Sequence, residues 1–177
     1  IFLADATVNV YPDSRTLAEI AVQTAKVARR FGVAPKVAML SFSNFGSSRA
    51  QRSERIEDAI EFARELDPSL AIDGPMQADT ALNGAVQSEY PFMDFKGPAN
   101  VLVLPNLAAA NIAYKLLEEL GDAEMTGPIL EGMNKPVQLV ARQDGVRHIV
   151  NMAAICAADA IRQDSYWETL VTPNVDG

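Results

Sequence analysis

Residues 100–120 read NVLVLPNLAAANIAYKLLEEL. Asn100 to Leu104 carries an unbroken apolar run, Pro105-Asn106 interrupts it, and apolar residues at helical spacing follow from Leu107 to Leu120. A short apolar run without alternation suits a strand covered on both faces, as in a parallel sheet. Strand, turn and helix in that order form the repeating unit of α/β folds.

The pattern recurs outward from this stretch. Lys36 to Phe42 (KVAMLSF) reads as a buried strand, Ser43–Ser48 as a polar loop, and Ser53 opens a helix to Leu66 that Pro68 stops. Nearer the start, Ile1 to Leu3 is a short strand and Asp5 to Asn9 a polar loop. Asp13 or Ser14 then caps a helix bearing Leu17, Ile20, Ala21, Val27 and Phe31 on one face, closed by Gly32. Ala71 to Asp73 is a strand, and Ala78 to Tyr90 a weak helix interrupted by Gly84. Asp122 to Thr126 reads as a further strand and Val146 to Gln163 as a final long helix. Ser165 to Gly177 reads as a polar tail, ordered only where Tyr166 and Trp167 find something to pack on. The alternation predicts a parallel, helix-flanked sheet with ligands at the carboxyl ends of its strands. The loops Ser43–Ser48, Pro105–Asn111 and Asn134–Arg142 are predicted to gather along that edge.

At 177 residues, 49% hydrophobic and 21% charged, the chain suits one soluble domain with a real core. A net charge of −8 argues against a nucleic-acid partner. The one cysteine, Cys156, excludes an internal disulfide, suits a reducing cytoplasm, and is expected to be a buried small hydrophobe. No apolar stretch approaches the ~20 residues of a membrane span, and no signal peptide is evident. Ile1 opens inside a strand-like run, as in a piece of something longer. His148 is the only histidine, and without a second ligand at useful spacing it does not predict a metal site.

FLADATVNV, KVAMLSFSNFGSS, IDGPMQADTAL, GPANVLVLPNLAAANIAYKLL and GPILEGMNKPV carry a resemblance that extends from Ile1 to about Gln163. Together they resemble the later half of the phosphotransacetylase family, which moves an acetyl group between coenzyme A and phosphate. The resemblance implies a parallel-sheet, three-layer α/β sandwich, related in architecture to isocitrate and isopropylmalate dehydrogenases, with most of the first subdomain missing. Residues 1–135 would form the second subdomain, 136–164 a return segment and helix toward the first, and 165–177 the tail. SFSNFGSS, MQADTAL and LPNLAAANIAYKLL are most similar to the C-terminal domain of bacterial NADP-dependent malic enzymes. Active phosphotransacetylases more often read SYST-x-GS and PDL at the first and third of these places.

Residues 127–150, GPILEGMNKPVQLVARQDGVRHIV, carry the functional part of the resemblance. In the family a Gly-Pro-Ile strand and a Lys-Pro turn lead to Ser-Arg-Gly, with an aspartate seven residues after the serine. Here Lys135-Pro136 and Arg142 remain, while Ala141 stands at the serine position and His148 at the aspartate position. A positioned base contributes ~10²–10⁴ in rate and an oxyanion-type donor ~10²–10³. Their joint loss predicts a domain without catalytic residues, and the resemblance to the malic enzymes implies that it binds acetyl-CoA as an effector and holds an oligomer together. Lys135 and Arg142 suit phosphate and carbonyl oxygens; the plainer reading makes each a solvated loop cation. Ser43, Asn44 and Ser47 belong to a loop able to cradle an anion or simply to turn the chain. Asn134 either contacts ligand or shapes the turn, and His148 fills the former base position without catalysing. NADP and a divalent metal are expected only in upstream malic enzyme domains, since this chain has no GxGxxG motif. An active phosphate acetyltransferase and a purely structural dimerisation module are the competing readings.

Overall fold

The computed structural model describes the backbone of residues 1–46, 51–121 and 123–171, with side chains except at 51–53 and 163–171. Its elements are β1 (Phe2–Ala4), α1 (Ser14–Arg30), β2 (Lys36–Leu40), α2 (Gln51–Leu66) and β3 (Ala71–Met76). They continue with α3 (Ala78–Leu82), α4 (Gly84–Gln87), β4 (Val101–Val103), α5 (Leu107–Gly121) and α6 (Val146–Val171). The chain divides into two units, Ile1–Ala123 and Glu124–Gly177.

In the first unit the strands form one parallel sheet in the order β1-β4-β2-β3. Alternate residues of each central strand serve opposite faces. Val37, Met39, Val101 and Val103 pack with Leu17, Ala21, Ile56 and Ile60 of α1 and α2. Ala38, Leu40 and Leu102 pack with Ala81 of α3 and Ala110 of α5. Burial of each larger aliphatic side chain contributes about 1.5–3 kcal/mol, so the unbroken apolar runs are what place β2 and β4 at the centre. The parallel α/β expectation holds.

Caps and turns explain the boundaries. Asp13 is the α1 cap, its carboxylate accepting from the Thr16 N–H at 2.8 Å, and Gly32 closes the helix at φ 75°. β3 continues past Asp73 to Met76 because Gly74, at φ 143°, lets the strand pass where any Cβ would lie 2.6 Å from the Met39 carbonyl oxygen. The helix expected over 78–90 is two short ones. Asn83 is extended between them and accepts from the Ala85 N–H at 3.0 Å, which starts the second.

The strand expected over 122–126 is not seen over its described residues. Ala123 to Thr126 has no strand pairing among the described residues, and Asp122 lies outside them. The Gly-Pro-Ile segment at 127–129 likewise has no strand pairing among the described residues. An apolar segment becomes a strand only where a neighbour supplies the ladder. α6 runs past Gln163 to Val171, since no proline or glycine interrupts it, so much of the expected tail is helical. Residues 172–177 lie outside the described residues. Cys156 is half-buried rather than buried, its thiol donating to the Pro136 carbonyl at 3.5 Å.

Candidate functional site

At the carboxyl ends of the strands the first unit is closely self-bonded. Asp5 follows β1, and its two oxygens accept from the Thr7, Val8 and Asn9 N–H groups and from the Asn9 amide, all within 2.7–2.9 Å. Burial raises the Asp5 carboxyl, but these bonds outweigh it and hold the group below the usual carboxylate range. Arg55 reaches from α2 and donates to Pro12 and Pro105 carbonyls at 2.9 and 2.8 Å. That joins the turn after β1 to the turn after β4.

The loop after β2 is tied to the end of β3. Asn44 accepts from the Gln77 N–H at 2.7 Å and donates to the Gln77 side-chain oxygen and the Tyr90 hydroxyl at 3.1 and 3.2 Å. Phe45, at φ 45°, donates its N–H to the Pro75 carbonyl at 2.7 Å. Its ring meets Tyr90 and Phe92 at 5.1 and 4.9 Å between centroids. A residue of this bulk in the left-handed region is held there by its surroundings. The Phe45 N–H is thus committed to the protein. Ser43 is buried, and its hydroxyl has no partner among the described residues, so a bound water or ligand atom would complete it.

The second unit holds the other candidates. Asn134, Lys135 and Arg142 are exposed, and neither cation makes an ion pair among the described residues. Gln138 accepts from the Leu130 N–H at 3.0 Å and folds the segment back on itself. Ala141 offers its backbone N–H, not a hydroxyl, and that group donates to Asp144 at 2.5 Å. His148 lies in the first turn of α6, its Nε2 3.5 Å from the same Asp144 oxygen. Arg147, beside His148 in sequence, turns to Glu124 at 3.2 Å.

Of the predicted residues, Ser43 and Asn44 share one strand-end loop. Asn134, Lys135, Ala141, Arg142 and His148 belong to the second unit, and Ser47 lies outside the described residues. Pro105 joins the Ser43 loop at the carboxyl ends of neighbouring strands, as the pattern implied for two of the three loops. Sequence reasoning passed over Asp144, although an aspartate in a polar stretch just before a helix is a recognisable turn former; here it accepts from the Ala141 N–H. It also missed Tyr90 and Arg55, whose partners are far away in sequence. No group of three or more possible metal ligands occurs among the described residues.

Two solved structures share this fold. EutD phosphotransacetylase from Staphylococcus aureus superposes with a TM-score of 0.85 at 39% identity, covering 89% of this chain and 49% of that one. A phosphotransacetylase from Streptococcus pyogenes gives 0.85 at 42%, covering 90% and 49%. The parallel sheet and its strand-end loops therefore define a phosphotransacetylase-like α/β protein. The phosphate acetyl/butaryl transferase family model matches residues 1–157, and the chain belongs to that family. Among its relatives, phosphate acetyltransferase of Bacillus subtilis (strain 168) is 43% identical over 89% of this chain and 49% of its own length. NADP-dependent malic enzyme of Escherichia coli (strain K12) is 45% identical over 92% of this chain and 22% of its own length. The chain spans about half of the former and about a fifth of the latter, where it matches the phosphotransacetylase-like region. No helix among the described residues is long and apolar enough to cross a membrane.

Proposed function

We propose that this chain is the effector-binding, catalytically silent phosphotransacetylase-like domain of an NADP-dependent malic enzyme, with acetyl-CoA as its ligand. The observation that carries this reading is the pair Ala141 and His148, standing where the family has a serine and an aspartate. Lys135 and Arg142 keep the cations suited to phosphate and carbonyl oxygens. Overall identity does not separate the two kinds of relative, at 45% and 43%, so the reading rests on these positions. NADP, a divalent metal and malate chemistry belong to upstream domains of the parent enzyme.

Self-association is part of the reading. In α5 only Ala110 is buried, while Ile112, Leu116, Leu117 and Leu120 are exposed. An exposed apolar row of this kind suits a partner surface, and an obligate interface buries more than about 2,000 Å² in total. The same row favours the structural-module reading if no ligand binds.

The deciding experiment uses the full malic enzyme carrying this domain. Lys135→Ala and Arg142→Ala each weaken the acetyl-CoA response by about 1–3 kcal/mol, the worth of a charge-assisted contact, with basal malate decarboxylation unchanged. Acetyl transfer from acetyl phosphate to coenzyme A stays at background in a coupled assay. Robust transfer would install the active-acetyltransferase reading, and unchanged regulation in both variants would leave the structural module.

A further inference from the structure

One carboxylate oxygen in the second unit serves two groups. Asp144 Oδ2 accepts from the Ala141 N–H at 2.5 Å and lies 3.5 Å from His148 Nε2. The Asp144 N–H donates back to the Ala141 carbonyl at 3.1 Å, which closes residues 141–144, Arg142 included, into a turn. The His148 and Asp144 side chains are each only 21% exposed, so water competes weakly for their contact. Arg147 pairs with Glu124, which leaves Asp144 as the charged group in contact with the imidazole among the described residues. The nitrogen an imidazole offers a ligand is set by the bond its other nitrogen makes. Here Nε2 faces the carboxylate at 3.5 Å, near enough for the negative charge to favour the proton on that nitrogen, and Nδ1 has no partner among the described residues.

We infer that Asp144 is a positioning residue for the ligand of this segment. It fixes the His148 ring so that Nδ1 is the nitrogen available to a ligand, and it secures the turn bearing Arg142 through the same oxygen. This rests on the reading that the segment binds acetyl-CoA; an unprotonated Nδ1 accepts, so the group it meets is an amide N–H of the ligand's pantetheine arm, while the Arg142 guanidinium suits a carbonyl or phosphate oxygen. A carboxylate acting through a second side chain differs from the family's carboxylate, which stands where His148 does.

Because His148 is the only histidine, its ring ¹⁵N signals are assignable without ambiguity. In the unsubstituted full chain they show Nε2 protonated; a ring protonated mainly at Nδ1 overturns the positioning role. Asp144→Asn keeps an acceptor for the Ala141 N–H but removes the charge facing the ring. It raises the Nδ1-protonated fraction and leaves the melting temperature in place. It also weakens acetyl-CoA binding about threefold to tenfold, the size of one lost hydrogen bond. On a His148→Phe background the same substitution adds nothing, a non-additivity that a purely turn-forming role does not produce. An equal loss with and without His148 overturns the inference. Failure of acetyl-CoA to bind the unsubstituted chain overturns the proposed ligand, while the ring signals still decide whether Asp144 orients His148.

Discussion

The strand-end loops of the first unit and the 127–150 segment of the second treat their polar groups in opposite ways. Around β1, β2 and β4 most polar side chains are committed to one another, the Ser43 hydroxyl excepted: Asp5 to its own loop, Asn44 to Gln77 and Tyr90, Arg55 to two carbonyls. In the 127–150 segment Lys135 and Arg142 stand exposed without partners among the described residues, and Asp144 alone organises the turn. The contrast separates residues that hold a fold from residues left over for something else. A candidate loop is better judged by which of its donors remain unused than by its composition.

The sharpest way to break this contrast is at Gly74. Gly74→Ala places a Cβ against the Met39 carbonyl in a backbone region closed to other residues. It should lower unfolding free energy by about 3 kcal/mol or more in chemical denaturation. A loss below about 1 kcal/mol would mean β3 can shift its path. Next in size is Asn44→Ala, which removes three hydrogen bonds and leaves the Gln77 N–H without its acceptor. About 1–3 kcal/mol of stability should go with it; a silent substitution would return the Ser43 loop to the list of free ligand loops.

The pH prediction has a definite sign. The folded Asp5 carboxyl lies below its ordinary value of 3.8, so its stabilisation is complete above that value and is lost as pH falls through the lower folded one. Asp73 runs the other way: burial raises its carboxyl, opposed by the Asp94 and Gly74 N–H bonds, so its ionisation costs stability as pH rises through the raised value. Asp5→Asn should therefore flatten the acid limb of a stability-against-pH curve, and Asp73→Asn should steepen it. The smallest effect belongs to the second unit. Lys135→Ala and Arg142→Ala should each change stability by less than about 0.5 kcal/mol; a larger loss in a melt would move them from the unused set to the structural one.

The sheet was legible because its causes are local. Apolar runs mark β2 and β4, Asp13 and Gly32 bracket α1, and the strand–helix alternation implies parallel pairing. β3 was read too short because Gly74-Pro75 looks like a break, whereas here glycine lets a strand pass a close neighbour. Residues 122–126 were read as a strand from their own pattern, yet a strand is a property of a pair. In the candidate site, Lys135, Arg142 and His148 were singled out by the resemblance to the family's motif. The Asn44–Tyr90 bond spans 46 residues, and Arg55 reaches Pro105 across 50. No pattern in a short window reports such partners.

The strand order also governs the path by which the chain acquires its shape. β4 lies between β1 and β2, so β1 has no neighbour until residues 101–103 exist and dock. During synthesis the pairing of β2 with β3 is available early, whereas β1 must wait with its edge open. Long loops must close before that pairing is rewarded, which slows folding, and an unpaired strand edge invites association in the meantime. The last strand to arrive is therefore the one that joins the sheet, and its buried side chains Val101 and Val103 secure the closed sheet in the native state.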